Sequence, residues 1–290
     1  MSQPISLADF WALFGYAIIA ALLVAALCGY LGFFVVLRRL AFVSAALGQI
    51  SGLGVAFGFL LGSYFGVDPH TPTPVYLDPV VLALLLSGLV SAGLGYVSRV
   101  ERTSSESVVA FAYLASTAAT ILLLASPRIV QEAHEVGDLL FGNAVAVRRE
   151  HFIELVIVAA AVFCSHVFLF KDLLFVSFDR DMAQAVGLPS VKLELFLYVS
   201  IGISVAVATR AIGALPVFGF LVLPTGAALL ASDSVRGVLT LSIAGAMLAA
   251  GGGFYLSFVE SRPTGPLMVA CAAAYWPLAA LYRWVRRSTG

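Results

Sequence analysis

Inside its apolar segments this 290-residue sequence carries few side chains able to do chemistry, and the most concentrated group is SAALGQISGLG, Ser44 to Gly54. The group lies in a stretch, 40–67, that contains no Lys, Arg, Asp or Glu. An unpaired amide in hydrocarbon costs on the order of a few kcal/mol, so Gln49 must face protein or water. Ser44 and Ser51 flank it, and Gly48, Gly52, Gly54, Gly58 and Gly62 form three i, i+4 pairs that let another backbone approach or that line a path. In LASTAAT, Ser116, Thr117 and Thr120 supply partners or line the same cavity, although such hydroxyls also bond back to their own helix.

Other chemistries fit less well. A metal site needs several His, Cys or carboxylate groups converging on one point, and the apolar segments hold no such set. Asp68 with His70, and Glu132 with His134, are weak external metal candidates; the plainer reading is solvated loop residues. Ser51 followed by Gly52 superficially suggests an intramembrane serine protease. That chemistry needs a histidine within reach of the hydroxyl, and His166 belongs to a different segment and to its opposite end. It reads as a packed or interfacial imidazole. Cys28, Cys164 and Cys271 are far apart in apolar runs and read as packed thiols. No glycine-rich phosphate loop precedes a Lys and Ser/Thr pair, so the chain is read as a non-enzyme that binds no cofactor, any ATP being used by a separate subunit.

The elements that must position these residues are membrane helices. The chain is 61% hydrophobic and 11% charged, more apolar surface than a soluble domain of this length could hide. A bilayer core of about 30 Å takes roughly 20 apolar residues per helix. Runs of that order fall near 12–36, 42–61, 80–98, 108–126, 151–170, 192–209, 211–225, 237–258 and 265–282. The sequence therefore predicts an all-α polytopic bundle of eight or nine spans, in a single domain over 1–290. The first run is too long for a signal peptide and lacks a basic flank. Segment 139–147 is too short to cross and is a candidate re-entrant half-helix; 211–225 is short and carries Pro216 and Pro224.

Lys and Arg orient the chain. With the C-terminus cytoplasmic, eleven basic residues fall inside and five outside. The segment 171–194 then forms a long amphipathic cytoplasmic loop where a partner could dock. A net charge of zero and the lack of a basic tract give no sign of nucleic acid binding.

In order along nearly the whole chain, VVLRRLAFVSAALGQISGLGVAFGFLLG, DLLFGNAVAV, FDRDMAQAVGLP, AIGALPVFGFLVLPTGAALL and VESRPTGPLMVACAAAY resemble the metal ABC-3 permeases, the membrane subunits of zinc and manganese ABC importers. The resemblance implies a type II importer-like fold in the bacterial inner membrane. It implies a second copy of the chain, cytoplasmic ATPase subunits that use the ATP, and an external substrate-binding protein. It also places ATPase coupling at PTGAALLASDSVR, with Pro224, Thr225, Ser232, Asp233 and Arg236, and near Asp181 in the segment 179–189.

One departure from the family pattern falls on the segment described first. Metal-carrying members usually read DALSHA there, Asp and His lining the path, whereas the matching positions here are Ala45 and Gln49. Ala and an amide offer one neutral oxygen in place of a carboxylate and an imidazole. The translocation path is accordingly assigned to Ser44, Ala45, Gly48, Gln49, Ser51, Gly52, Ser116, Thr117 and Thr120, with divalent metal as the cargo and a chelated metal or non-metal solute as the alternative. A proton- or sodium-coupled secondary transporter fits less well, because the charges sit at the ends of spans. A non-transporting scaffold is the weakest reading. Combining Ala45→Asp with Gln49→His should create or strengthen Zn and Mn binding by the purified protein; identical binding by variant and parent would refute this account of the two positions.

Overall fold

A computed structural model describes residues 7–66, 74, 77–100, 105–129, 136–137, 147 and 149–289. Asp68, His70, Glu132, His134 and nearly all of 139–147 lie outside the described residues. The described residues form helices α1 (Leu7–Leu37), α2 (Ala41–Tyr64), α3 (Pro79–Val100), α4 (Ser105–Leu124), α5 (Arg149–Phe178), α6 (Arg180–Ala185), α7 (Ser190–Ile212), α8 (Ala214–Ala231), α9 (Val235–Glu260) and α10 (Thr264–Thr289). All but the short α6 are long and apolar enough to cross a bilayer, giving nine candidate spans among the described residues.

Helices α1, α2, α7 and α8 are the most buried, and α3, α4, α5, α9 and α10 pack around them. Large apolar side chains on the periphery, such as Phe111, Phe168 and Trp284, remain exposed, as expected where hydrocarbon is the solvent. The contacts between helices rely on small residues. A Cβ on Gly32 of α1 would fall 2.3 Å from the Leu221 carbonyl oxygen of α8. One on Gly54 of α2 would fall 2.5 Å from Ala83 Cα of α3, and one on Gly253 of α9 would fall 2.4 Å from Met268 Cα of α10. Hydroxyls reinforce the approach: Ser242 donates to the Gly29 carbonyl at 2.7 Å and pairs with Thr225, tying α1, α8 and α9 together.

Two turns shape the bundle. Gly213, at φ 95° and ψ 157°, separates α7 from α8 in a conformation open to glycine, so the predicted runs 192–209 and 211–225 become two helices joined by one buried residue. The α1–α2 turn is closed by Leu40 N–H to Val35 O at 2.7 Å and Arg39 N–H to Val36 O at 3.1 Å, with Arg39 left-handed at φ 58°. That is a C-terminal cap in which glycine is the usual occupant, and an L side chain there costs about 1 kcal/mol.

The predicted cytoplasmic loop is shorter than expected. Helix α5 continues to Phe178, because LLFVSF extends its apolar sequence and leaves Lys171 and Asp172 on the helix. The remaining connection holds α6, whose first turn is capped by Asp179 accepting from Met182 N–H at 2.9 Å.

Charges cluster at the two ends of the bundle. At the end assigned to the cytoplasm, Arg38 of the α1–α2 turn pairs with the buried Glu194 of α7, and Arg180 of α6 lies 3.5 Å from the same carboxylate oxygen. Arg286 and Asp233 pair at 3.5 Å at that end. At the other end the Arg128 guanidinium lies 4.2 Å over the Tyr64 ring. Removing one partner of a buried ion pair strands the other charge, at a cost of about 3 kcal/mol. Glu194→Ala should lower thermal stability in detergent by roughly that amount, and adding Arg38→Met should recover most of it; equal unfolding temperatures for parent and Glu194→Ala would show that the pair carries no such weight.

Candidate functional site

Helix α2 buries most of its circumference against α3, α4, α7 and α8; along one face Ala45, Gln49 and Leu53 are half-buried and Phe57 is exposed. These four positions are spaced by one helical turn, so they form a single stripe along the helix. Helix α4 packs beside that stripe. Thr117 of α4 donates to Gln49 Oε1 at 3.3 Å and to the carbonyl of Tyr113 in its own helix at 2.8 Å. A hydroxyl has one proton, so the shorter bond takes most of it. With the amide turned by half a rotation, Gln49 donates its NH2 to Thr117 while Thr117 keeps its bond to Tyr113, and the Gln49 carbonyl is released toward the open side.

The other sequence-predicted path residues are placed differently. Ser44 is buried and donates to the Ala41 carbonyl at 2.7 Å. Ser51 is fully buried and reaches the Ala206 carbonyl of α7 at 3.4 Å. Ser116 and Thr120 bond back along α4, to Ala112 O at 2.7 Å and Ser116 O at 2.8 Å. Gly52 is buried, and a Cβ on Gly48 would lie 3.3 Å from Ala214 Cβ, which seats the α7–α8 turn beside Gln49. Of the nine residues, Ala45, Gln49 and Thr117 keep partial exposure on one wall. Leu53 and Phe57 complete that wall and were not singled out from the sequence; the helical period beginning at Ala45 was the signal that could have found them.

The remaining polar residues divide between packing and the cytoplasmic surface. His166 is fully buried, with Nε2 2.9 Å from Ser200 Oγ and with Tyr30, Phe34 and Phe196 around its ring. Cys28 is buried, Cys271 half-buried, and Cys164 is exposed on the outer face of α5. Pro224 and Thr225 are buried inside α8. The accessible part of the predicted coupling segment is the turn carrying Asp233 and Arg236, with Ser232 half-buried beside it. Asp181 is exposed on α6, next to the exposed Met182 and Val186. Among the described residues no group of three His, Cys, Asp or Glu could hold a metal ion.

The stripe can be probed by water-soluble thiol reagents. With the native cysteines replaced by alanine, cysteines at positions 45, 49 and 53 should react at least about tenfold faster with a membrane-impermeant reagent than cysteines at 44 and 51. Equal rates at all five positions would show that the stripe is sealed or faces lipid.

Comparison with known proteins agrees with this architecture. The model of the ABC 3 transport family matches residues 12–283. The manganese transport system membrane protein MntC of Halalkalibacterium halodurans is 25% identical over 264 residues, covering 91% of this chain and 85% of that protein. The high-affinity zinc uptake system membrane protein ZnuB of Haemophilus influenzae is 24% identical over 267 residues, covering 92% and 96%. Among solved structures, PsaBC from Streptococcus pneumoniae in complex with Fab superposes with a TM-score of 0.79 at 22% identity, covering 98% of each chain, and so shares the fold. With nine apolar helices and a family match over nearly its whole length, this chain belongs to the ABC 3 transport family as a multi-pass inner-membrane permease subunit of an ABC transporter.

Proposed function

We propose that two copies of this chain form the membrane path of an importer for a divalent metal, zinc or manganese, with the α2 and α4 walls of the copies facing each other across it. The family match carries this reading, and relatives named for manganese and zinc transport support the cargo. ATPase subunits dock on the cytoplasmic surface that presents Asp181, Asp233 and Arg236, and an external binding protein delivers the cargo. ATP is bound and hydrolysed by the partner, and this chain holds no cofactor. The drive comes from the different affinity of ATP for the outward-open and inward-open states.

The path wall has a chemical consequence. A bare dication in a low-dielectric passage carries a large desolvation penalty unless anionic or strongly donating ligands replace its water. Ala45, Gln49, Leu53 and Thr117 supply an amide and a hydroxyl. The ion therefore crosses with part of its hydration shell, without a fixed site on this wall. A second reading, cargo whose charge is masked by a chelator, is favoured by the same uncharged wall.

Reconstitution with the ATPase and the cognate binding protein separates the two. ATP hydrolysis stimulated by free Zn or Mn is the expected result, and stimulation by a metal chelate alone would establish the second reading. Transport by the chain in vesicles without any ATPase would overturn both.

A further inference from the structure

A cleft of about 310 Å³ opens at the cytoplasmic ends of α1, α2, α3, α4 and α7. Its walls are Leu40, Val43, Leu94, Val109 and Tyr198, with Arg38, Arg39 and Glu106 at its polar edge. Three features of this cleft are independent of the path. First, Arg39 is exposed and sits left-handed in the α1–α2 turn, where glycine is the low-strain residue. Strain retained at such a position points to a use for the side chain. Second, Arg38 is anchored through Nη2 to Glu194, and its Nη1 is buried with no hydrogen-bond partner among the described residues. Third, the α4 wall continues upward into exposed apolar residues, Phe111 at 72% and Leu114 at 64% exposure.

Guanidinium groups recognise phosphate, and the apolar walls at membrane depth suit hydrocarbon chains. We infer that this cleft binds an anionic phospholipid of the cytoplasmic leaflet, its phosphate held by the exposed Arg39 beside the fixed charge of Arg38, and one acyl chain laid along Val43, Leu94 and Val109. Glu106 at the edge accepts hydrogen bonds from headgroup hydroxyls. A soluble phosphate would use the arginines and leave the apolar walls uncovered.

The test uses the purified full-length chain, with phosphatidylglycerol and phosphatidylcholine of equal chain length titrated in native mass spectrometry. Arg39→Gly is the informative variant, because glycine relaxes the turn while removing the guanidinium. The parent should prefer phosphatidylglycerol; Arg39→Gly should lose about fivefold of that preference with thermal stability unchanged or raised, and Arg39→Lys should keep most of it. An undiminished preference in Arg39→Gly would overturn the inference. So would displacement of bound lipid by glycerol 3-phosphate, or an Arg39→Gly variant that loses its hold on the ATPase subunit with lipid preference intact.

Discussion

The close approach of backbones inside lipid is the constraint on which this bundle depends. Hydrocarbon is as apolar as leucine, so no hydrophobic force drives one membrane helix onto another, and contact must come from packing and from hydrogen bonds across helices. Gly32 against the Leu221 carbonyl, Gly54 against Ala83 and Gly253 against Met268 each bring two backbones to a distance at which a methyl group would clash. Ser242, bonded to Gly29 O and paired with Thr225, adds polar contacts at one of these seams. The frequent small residues are thus the means by which the described helices pack closely.

This constraint also governs the site. Most hydroxyls that read as path-lining in the sequence are engaged in holding the bundle: Ser51 crosses to α7, and Ser44, Ser116 and Thr120 return to carbonyls of their own helices. What remains partly exposed on α2 is a narrow stripe with one amide. The Thr117 proton goes mainly to the nearer Tyr113 carbonyl, so its bond to the Gln49 amide is weak. The single-residue turn at Gly213 reaches this stripe, since Ala214 seats against Gly48. A shift of α7 against α8 would therefore be felt beside Gln49.

Charge is confined to the ends, where it has structural uses. Glu194 draws together the α1–α2 turn, α6 and α7 through Arg38 and Arg180, and α6 carries the exposed Asp181, Met182 and Val186. The exposed face of α6 is thereby joined through a buried carboxylate to the turn that follows the first membrane helix. The α8–α9 turn is joined in a weaker way, through the solvent-exposed Asp233 and Arg286 pair, which contributes little by itself.

The sequence by itself determined the membrane class and a bundle of eight or nine spans, because burial in hydrocarbon demands long uncharged runs. It also determined that Gln49 needed a partner, since a buried amide without one is expensive. It did not reveal that α5 extends past Lys171, because a charge pair near the end of a span resembles a loop boundary. Only the tertiary structure decided which serines face a neighbour and which residues share the open side of α2. Period and composition fix the faces of a helix, but the choice of buried face belongs to its neighbours, and here packing by α3, α4, α7 and α8 leaves the line through Ala45, Gln49, Leu53 and Phe57 partly open. The convergence of Arg38, Arg180 and Glu194 was beyond the sequence for the same reason: Arg38 and Glu194 stand 156 positions apart and meet only when α1 packs on α7.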